Sequence, residues 1–117
     1  MGSERTVDLV EATASQLAAL VRGRSASPVE IVAAHLERIG RINGALNAIV
    51  TLRAEEALAD AAGVERAVHG GADLPLAGVP FTVKDLIATG GVRTTAGTPF
   101  LTDFVPRLDA TAVARLR

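Results

Sequence analysis

The 117-residue chain contains no cysteine, no tryptophan and no tyrosine, and its only aromatic side chains are three phenylalanines. Without cysteine there is no disulfide framework and no thiol catalysis, a composition compatible with a reducing cytoplasm. Charge of one sign is lacking as well, since twelve Lys and Arg stand against thirteen Asp and Glu for a net charge of −1. That balance offers no electrostatic footprint, so neither nucleic acid nor an acidic membrane surface is expected as a direct partner. The longest apolar run, Leu17-Ala18-Ala19-Leu20-Val21, is far too short to span a bilayer, and the polar start Met1 to Asp8 has no signal-peptide core. A soluble, cytoplasmic protein is expected. Gly2 and Thr6 satisfy the short myristoylation pattern, which an ordinary translation start explains equally well.

What is present is aliphatic. Hydrophobic residues make up 49% of the chain, mostly Ala, Val, Leu and Ile, and the mean hydropathy is +0.32. The length is that of one modest domain that can bury a core without cross-links. Its apolar content exceeds what such a domain usually hides, which predicts a piece of a larger core, a homo-oligomer, or a chain prone to association.

Periodicity predicts a helix-rich first half. Leu17, Leu20 and Val21 lie at i, i+3, i+4 behind a capping Thr13, in a short helix ending at Gly23. Ser27, Pro28 and Glu30 form a capping box with proline at the first helical position, opening a second helix to about Ile42. Its stripe of Val29, Val32, Leu36 and Ile39 opposes Glu30, Glu37, Arg38 and Arg41, and Asn43-Gly44 is read as the breaker. The β-branched run Ala48-Ile49-Val50-Thr51 predicts a short strand, and Arg53 to His69 a third helix closed by Gly70-Gly71. Val79 to Ile87 predicts a second strand with Pro80 near its start, giving a right-handed βαβ unit. From Ala88 to Arg107 three Gly and two Pro predict irregular backbone. Asp109 is read as the cap of a last helix carrying Val113 and Leu116, which reaches Arg117 without a stop signal. Truncation is the simplest expectation for such an ending. No repeat or linker divides the 117 residues.

Most searches for chemistry return little. His35 and His69 fall on different helices without helical His partners, so both read as structural and no metal or cofactor is expected. Thr89 to Gly97 lacks both the P-loop lysine and the dinucleotide spacing. The four serines, Ser3, Ser15, Ser25 and Ser27, include a helix cap and no Gly-x-Ser-x-Gly elbow, so a nucleophile is missing. Lys84 is the exception, a lysine within a predicted strand. Such a residue is either a snorkelling edge lysine or, if buried, a desolvated amine able to act as a base. Asp85, pointing to the opposite face of a regular strand, reads as structural, and Asp73, Asp103 and Asp109 as turn or cap residues.

Three motifs, in order and spacing, carry a family resemblance: Pro75-Leu76-Ala77-Gly78-Val79-Pro80-Phe81-Thr82-Val83-Lys84-Asp85, Thr94-Thr95-Ala96-Gly97-Thr98 and Asp109-Ala110-Thr111. The chain resembles the N-terminal portion of the amidase signature family over nearly its whole length, with Thr98 departing from the serine common there. The resemblance implies an α/β fold, namely the first part of a single α/β/α sandwich with a mixed sheet. It also implies hydrolysis of a small-molecule amide by a Ser-cis-Ser-Lys triad, with Lys84 matching the lysine and the glycine-rich loop forming part of the active-site wall. Both serines would lie beyond Arg117, so the isolated chain is expected to be inactive. Two alternatives share these residues: a non-catalytic oligomerisation module, and the N-terminal part of the glutamyl-tRNA(Gln) amidotransferase A subunit.

Overall fold

A computed structural model of the chain describes residues 7–117, so the lipidation pattern at Gly2 and Thr6 lies outside the described residues. The chain divides into two compact units, the first ending at Pro80 and the second spanning Phe81–Arg117.

The first unit is built on three helices, α1 (Ala14–Arg22), α2 (Pro28–Leu46) and α3 (Ala54–His69). The two side-chain caps expected in this unit are in place. The Ser27 hydroxyl accepts from the Glu30 amide at 3.0 Å while the Glu30 carboxylate accepts from the Ser27 amide at 2.8 Å. Thr13 makes the same reciprocal pair with Gln16, at 3.2 and 2.8 Å, so the cap expected of Thr13 is one half of a full box. Each box satisfies two of the amides that a helix start leaves without partners.

α2 continues four residues past its predicted end, because Asn43-Gly44 does not break it. The Asn43 side chain instead reaches forward to Ile49, accepting from its amide at 2.9 Å and donating to its carbonyl at 3.0 Å. Helix termination falls to Asn47, which takes the left-handed conformation at φ 50°. The strand predicted at 48–51 is absent for a related reason. Ile49 within it has both backbone groups taken by one local side chain, leaving no ladder to form.

α2 packs against α3. The buried cluster joins Leu17 and Val21 of α1, Ile31 of α2 and Ala77, with Val64, Val68 and Val79 partly buried around it. Gly78 lets the chain after Ala77 come this close. Its φ is +77°, and a Cβ there would stand 2.8 Å from Val21 Cγ2 and 3.2 Å from Pro28 Cα.

The second unit holds one 3-10 turn, Pro99–Leu101, and one short helix, α4 (Thr111–Leu116). Among the described residues there is no strand, so the predicted strand at 79–87 and the βαβ unit are not formed. Here the hydrogen bonds close locally, with the Lys84 carbonyl accepting from the amides of Leu86 (2.7 Å) and Ile87 (2.9 Å). The irregular backbone expected from Ala88 onward is held by loop-to-loop bonds, Thr94 N to Phe104 O and Gly91 N to Pro106 O at 2.9 Å and Ala110 N to Ala88 O at 2.8 Å. Asp109 is not the cap of α4. Ala110 occupies that position without a side-chain bond, and Asp109 accepts from the Gly90 amide at 2.6 Å and pairs with Arg117 at 3.1 Å.

The fold is therefore helix-rich, and a mixed-sheet sandwich is not formed by these residues. Val113 is the one buried Val, Leu or Ile of the second unit, whereas Phe100 (96% exposed), Leu108 (79%) and Leu86 (61%) face outward. The apolar excess of the composition thus emerges at the surface. Among the described residues no helix is long and apolar enough to cross a membrane.

Candidate active site around Lys84

Lys84 stands in the second unit, exposed, on the wall of a cleft of about 230 Å³ that it lines with Asp85, Leu86, Ala96 and Gly97. Two of the sequence motifs therefore meet here, since the lysine motif and the Thr-Thr-Ala-Gly loop both line the cleft. The lysine is an exposed side chain at a turn, and the described residues do not supply the burial that would desolvate its amine. It is also the sole lysine of the chain, the other eleven basic residues being arginines. Guanidinium groups do not give up a proton in proteins, so Lys84 alone among the Lys and Arg side chains can serve as an amine base.

Asp85 joins the two motifs. Its Oδ1 accepts from the Thr95 amide at 2.8 Å, and its Oδ2 accepts from the Thr95 hydroxyl. These donors, hydroxyl first and amide second, hold its carboxyl below the ordinary carboxylate range; Arg93 adds a smaller effect in the same direction, and desolvation opposes it. The structural role that the sequence suggests for Asp85 agrees with these contacts. Thr95 is not legible there as its partner, because ten residues of irregular backbone separate the two and no periodicity reports such a pairing.

Ala96 and Gly97 take left-handed conformations at φ 51° and 68°, and the Thr98 amide donates to the Thr95 carbonyl at 3.0 Å. Successive positive φ values with this closure describe a type I′ turn, in which glycine is ordinary and alanine costs about 1–2 kcal/mol. Thr98, the departure from the family pattern, accepts from the Phe100 amide at 3.4 Å and starts the 3-10 turn.

The remaining candidates lie elsewhere. His35 Nδ1 is 2.8 Å from the Ile31 carbonyl, which requires the proton on that nitrogen and gives the ring a local helical partner. His69 ends α3 and lines an open groove of about 470 Å³ in the first unit with Arg24, Glu30 and Glu65. Glu30 is already committed there to the Ser27 cap. Among the described residues no three His, Asp or Glu side chains are gathered to hold a metal ion.

Comparison with known proteins bears on this geometry. The model of the Amidase family matches residues 30–117, which include all three motifs and the whole cleft. The chain is 40% identical over 111 residues to the glutamyl-tRNA(Gln) amidotransferase A subunit of Acidothermus cellulolyticus, covering 94% of this chain and 22% of that protein. The protein of the same name from Geobacter sulfurreducens is 40% identical over 95% of the chain and 23% of its own length. That from Salinispora tropica is 43% identical over 94% and 23%. The chain thus spans less than a quarter of the length of the curated relatives it matches. With the family model covering Lys84, the Asp85-Thr95 hydrogen bonds and the glycine turn, the chain belongs to the amidase family.

Proposed function

We propose that these 117 residues form the N-terminal portion of a single amidase domain and that Lys84 is the proton acceptor of a Ser-cis-Ser-Lys site. The observation that carries this reading is the setting of Lys84, the sole lysine amine, on a cleft wall within the segment the family model covers. In the longer domain, taken to be an α/β/α sandwich with a mixed sheet, Lys84 Nζ accepts the proton of a bridging serine. That serine takes the proton of the nucleophilic serine as its oxygen attacks the amide carbonyl. The leaving amine departs with the returned proton, and water releases the acid from the acyl-enzyme.

No serine lines the Lys84 cleft. The Ser27 hydroxyl is tied into its capping box. The isolated chain is therefore expected to release neither ammonia nor amine from simple amides. Release that disappears with Lys84→Ala would overturn that expectation. In a longer protein carrying this segment, Lys84→Ala should slow amide hydrolysis by about 10²–10⁴-fold with the fold intact, the usual worth of a general base. Undiminished hydrolysis would remove Lys84 from the mechanism.

The names of the three relatives favour a second reading, in which the same amide chemistry serves an amidotransferase that converts glutamyl-tRNA to glutaminyl-tRNA. Neighbouring genes for companion subunits would support it over a free-standing amidase. The outward Phe100 and Leu108 favour self-association of the chain on its own, for which a clean monomer in solution would be contrary.

A further inference from the structure

A base acts only where its backbone holds it, and the residue beside Lys84 does the holding. The turn that carries Lys84 is closed by its own carbonyl, which accepts from the Leu86 and Ile87 amides. Asp85 then ties this turn to another. Its two carboxylate oxygens take two donors of one residue, the amide and the hydroxyl of Thr95. The Thr95 hydroxyl in turn accepts from the Gly97 amide at 3.2 Å, and the Thr95 carbonyl accepts from Thr98. One carboxylate thereby grips a whole turn, and both turns line one cleft, Lys84 and Leu86 from the first and Ala96 and Gly97 from the second.

Three features indicate that this grip is more than local packing. Bonds to an ionised carboxylate are roughly twice as strong as neutral ones, and the bidentate form fixes orientation as well as distance. Ala96 is held at φ 51°, a conformation that persists in a non-glycine residue only where its surroundings over-determine it. Asp85 also makes no ion pair with its neighbour Lys84, so the lysine amine is left unengaged among the described residues.

Building on the reading of Lys84 as proton acceptor, we propose that Asp85 and Thr95 form a clamp that positions the Lys84 side chain against the Ala96-Gly97 turn. Asp85 is a positioning residue and transfers no proton itself. Both of its oxygens are occupied by donors, and the same donors hold it ionised.

A sole lysine makes the test specific. Reductive methylation with ¹³C-formaldehyde labels one ε-amine in the full chain, resolved from the α-amine of the N-terminus. The wild-type chain should show cross-peaks from the Lys84 methyls to Ala96 and Gly97. Asp85→Asn and Thr95→Val should both lose them, and in Asp85→Asn, where the amide at position 95 loses its ionised acceptor, exchange of that amide should quicken about ten-fold or more. Thr95→Ser, which keeps both donors, should restore the cross-peaks. Exchange protection of the Gly91 and Ala110 amides, whose bonds lie within the second unit, verifies that each variant is folded there, and Thr95→Val, which removes the hydroxyl alone, stands in should Asp85→Asn unfold. Cross-peaks that persist in the folded variants, or a failure of Thr95→Ser to restore them, would overturn the clamp. This readout needs no activity. A clamp that passes while Lys84→Ala leaves hydrolysis of the longer protein unchanged would sink the catalytic reading alone.

Discussion

Gly78 offers a sharp test of how the chain is assembled, because two separable costs attach to a single added methyl group. Its φ of +77° lies in the left-handed region, where an L side chain costs about 1–2 kcal/mol. A Cβ would in addition stand 2.8 Å from Val21 Cγ2 and 3.2 Å from Pro28 Cα and Cβ. The first of these neighbours belongs to the buried cluster and the second opens a helix, so neither can move away freely. Overpacking of this kind costs about 1–3 kcal/mol. Gly78→Ala should therefore destabilise the chain by roughly 2–5 kcal/mol, a large share of the roughly 4–12 kcal/mol expected of a unit of this size. With no Trp or Tyr to report by fluorescence, far-ultraviolet circular dichroism during urea unfolding is the suitable assay. The midpoint should fall by about 1–3 M. Gly71 supplies the control, since its φ is +93° but nothing lies within 4 Å of an added Cβ. Gly71→Ala should lower the midpoint clearly less. Equal shifts for the two variants would refute the close approach of Gly78 to α1 and α2, and an unchanged midpoint for Gly78→Ala would refute both costs together.

Other outcomes follow from individual contacts. Ser27→Ala removes the hydroxyl half of the α2 capping box and should cost about 0.5–2 kcal/mol, read as an earlier urea midpoint with the exchange loss concentrated in the first turn of α2. Ala96→Gly should stabilise the second unit by about 1 kcal/mol by releasing the left-handed alanine, visible as slower exchange at the Thr98 amide. Asp85 has a depressed carboxyl in the folded chain, so its contribution is complete above the ordinary carboxylate value and is lost as pH falls through the depressed one. The ¹³C carboxyl shift of Asp85 should accordingly titrate at lower pH than in an unfolded peptide. Thr95→Val should move that titration upward, and an unmoved midpoint would mean the hydroxyl does not bear on the charge.

Where local chemistry decides structure, the sequence can be read. Both α1 and α2 begin on capping residues, α3 closes at Gly70, and the Ser27-Glu30 box requires nothing beyond four consecutive positions. The errors arise where a distant or side-chain partner intervenes. Asn43 resembles a breaker because asparagine before glycine favours turns, yet its side chain bonds Ile49 and the helix runs on. Asp109 resembles a cap and instead bonds Gly90, nineteen residues earlier. Lys84 can be singled out, but its clamp cannot, since the Asp85-Thr95 pairing crosses an irregular loop in which neither helical nor strand periodicity operates.

The missing strands follow from the same distinction. β-propensity measures fit to a pleated, half-buried surface, so Ala48 to Thr51 and Val79 to Ile87 express it only when another strand offers a ladder. Among the described residues none does, and each segment satisfies its backbone nearby, Ile49 through Asn43 and the Lys84 carbonyl through Leu86 and Ile87. The helices need no such neighbour, because their hydrogen bonds are internal and their apolar stripes find one another within the first unit. For Lys84 this difference is functional as well as structural. Its cleft has two walls made by local turns and one carboxylate, and those walls can stand without a sheet. Serines and desolvation are what the proposed chemistry still requires, for the cleft is lined by no serine and Lys84 is exposed.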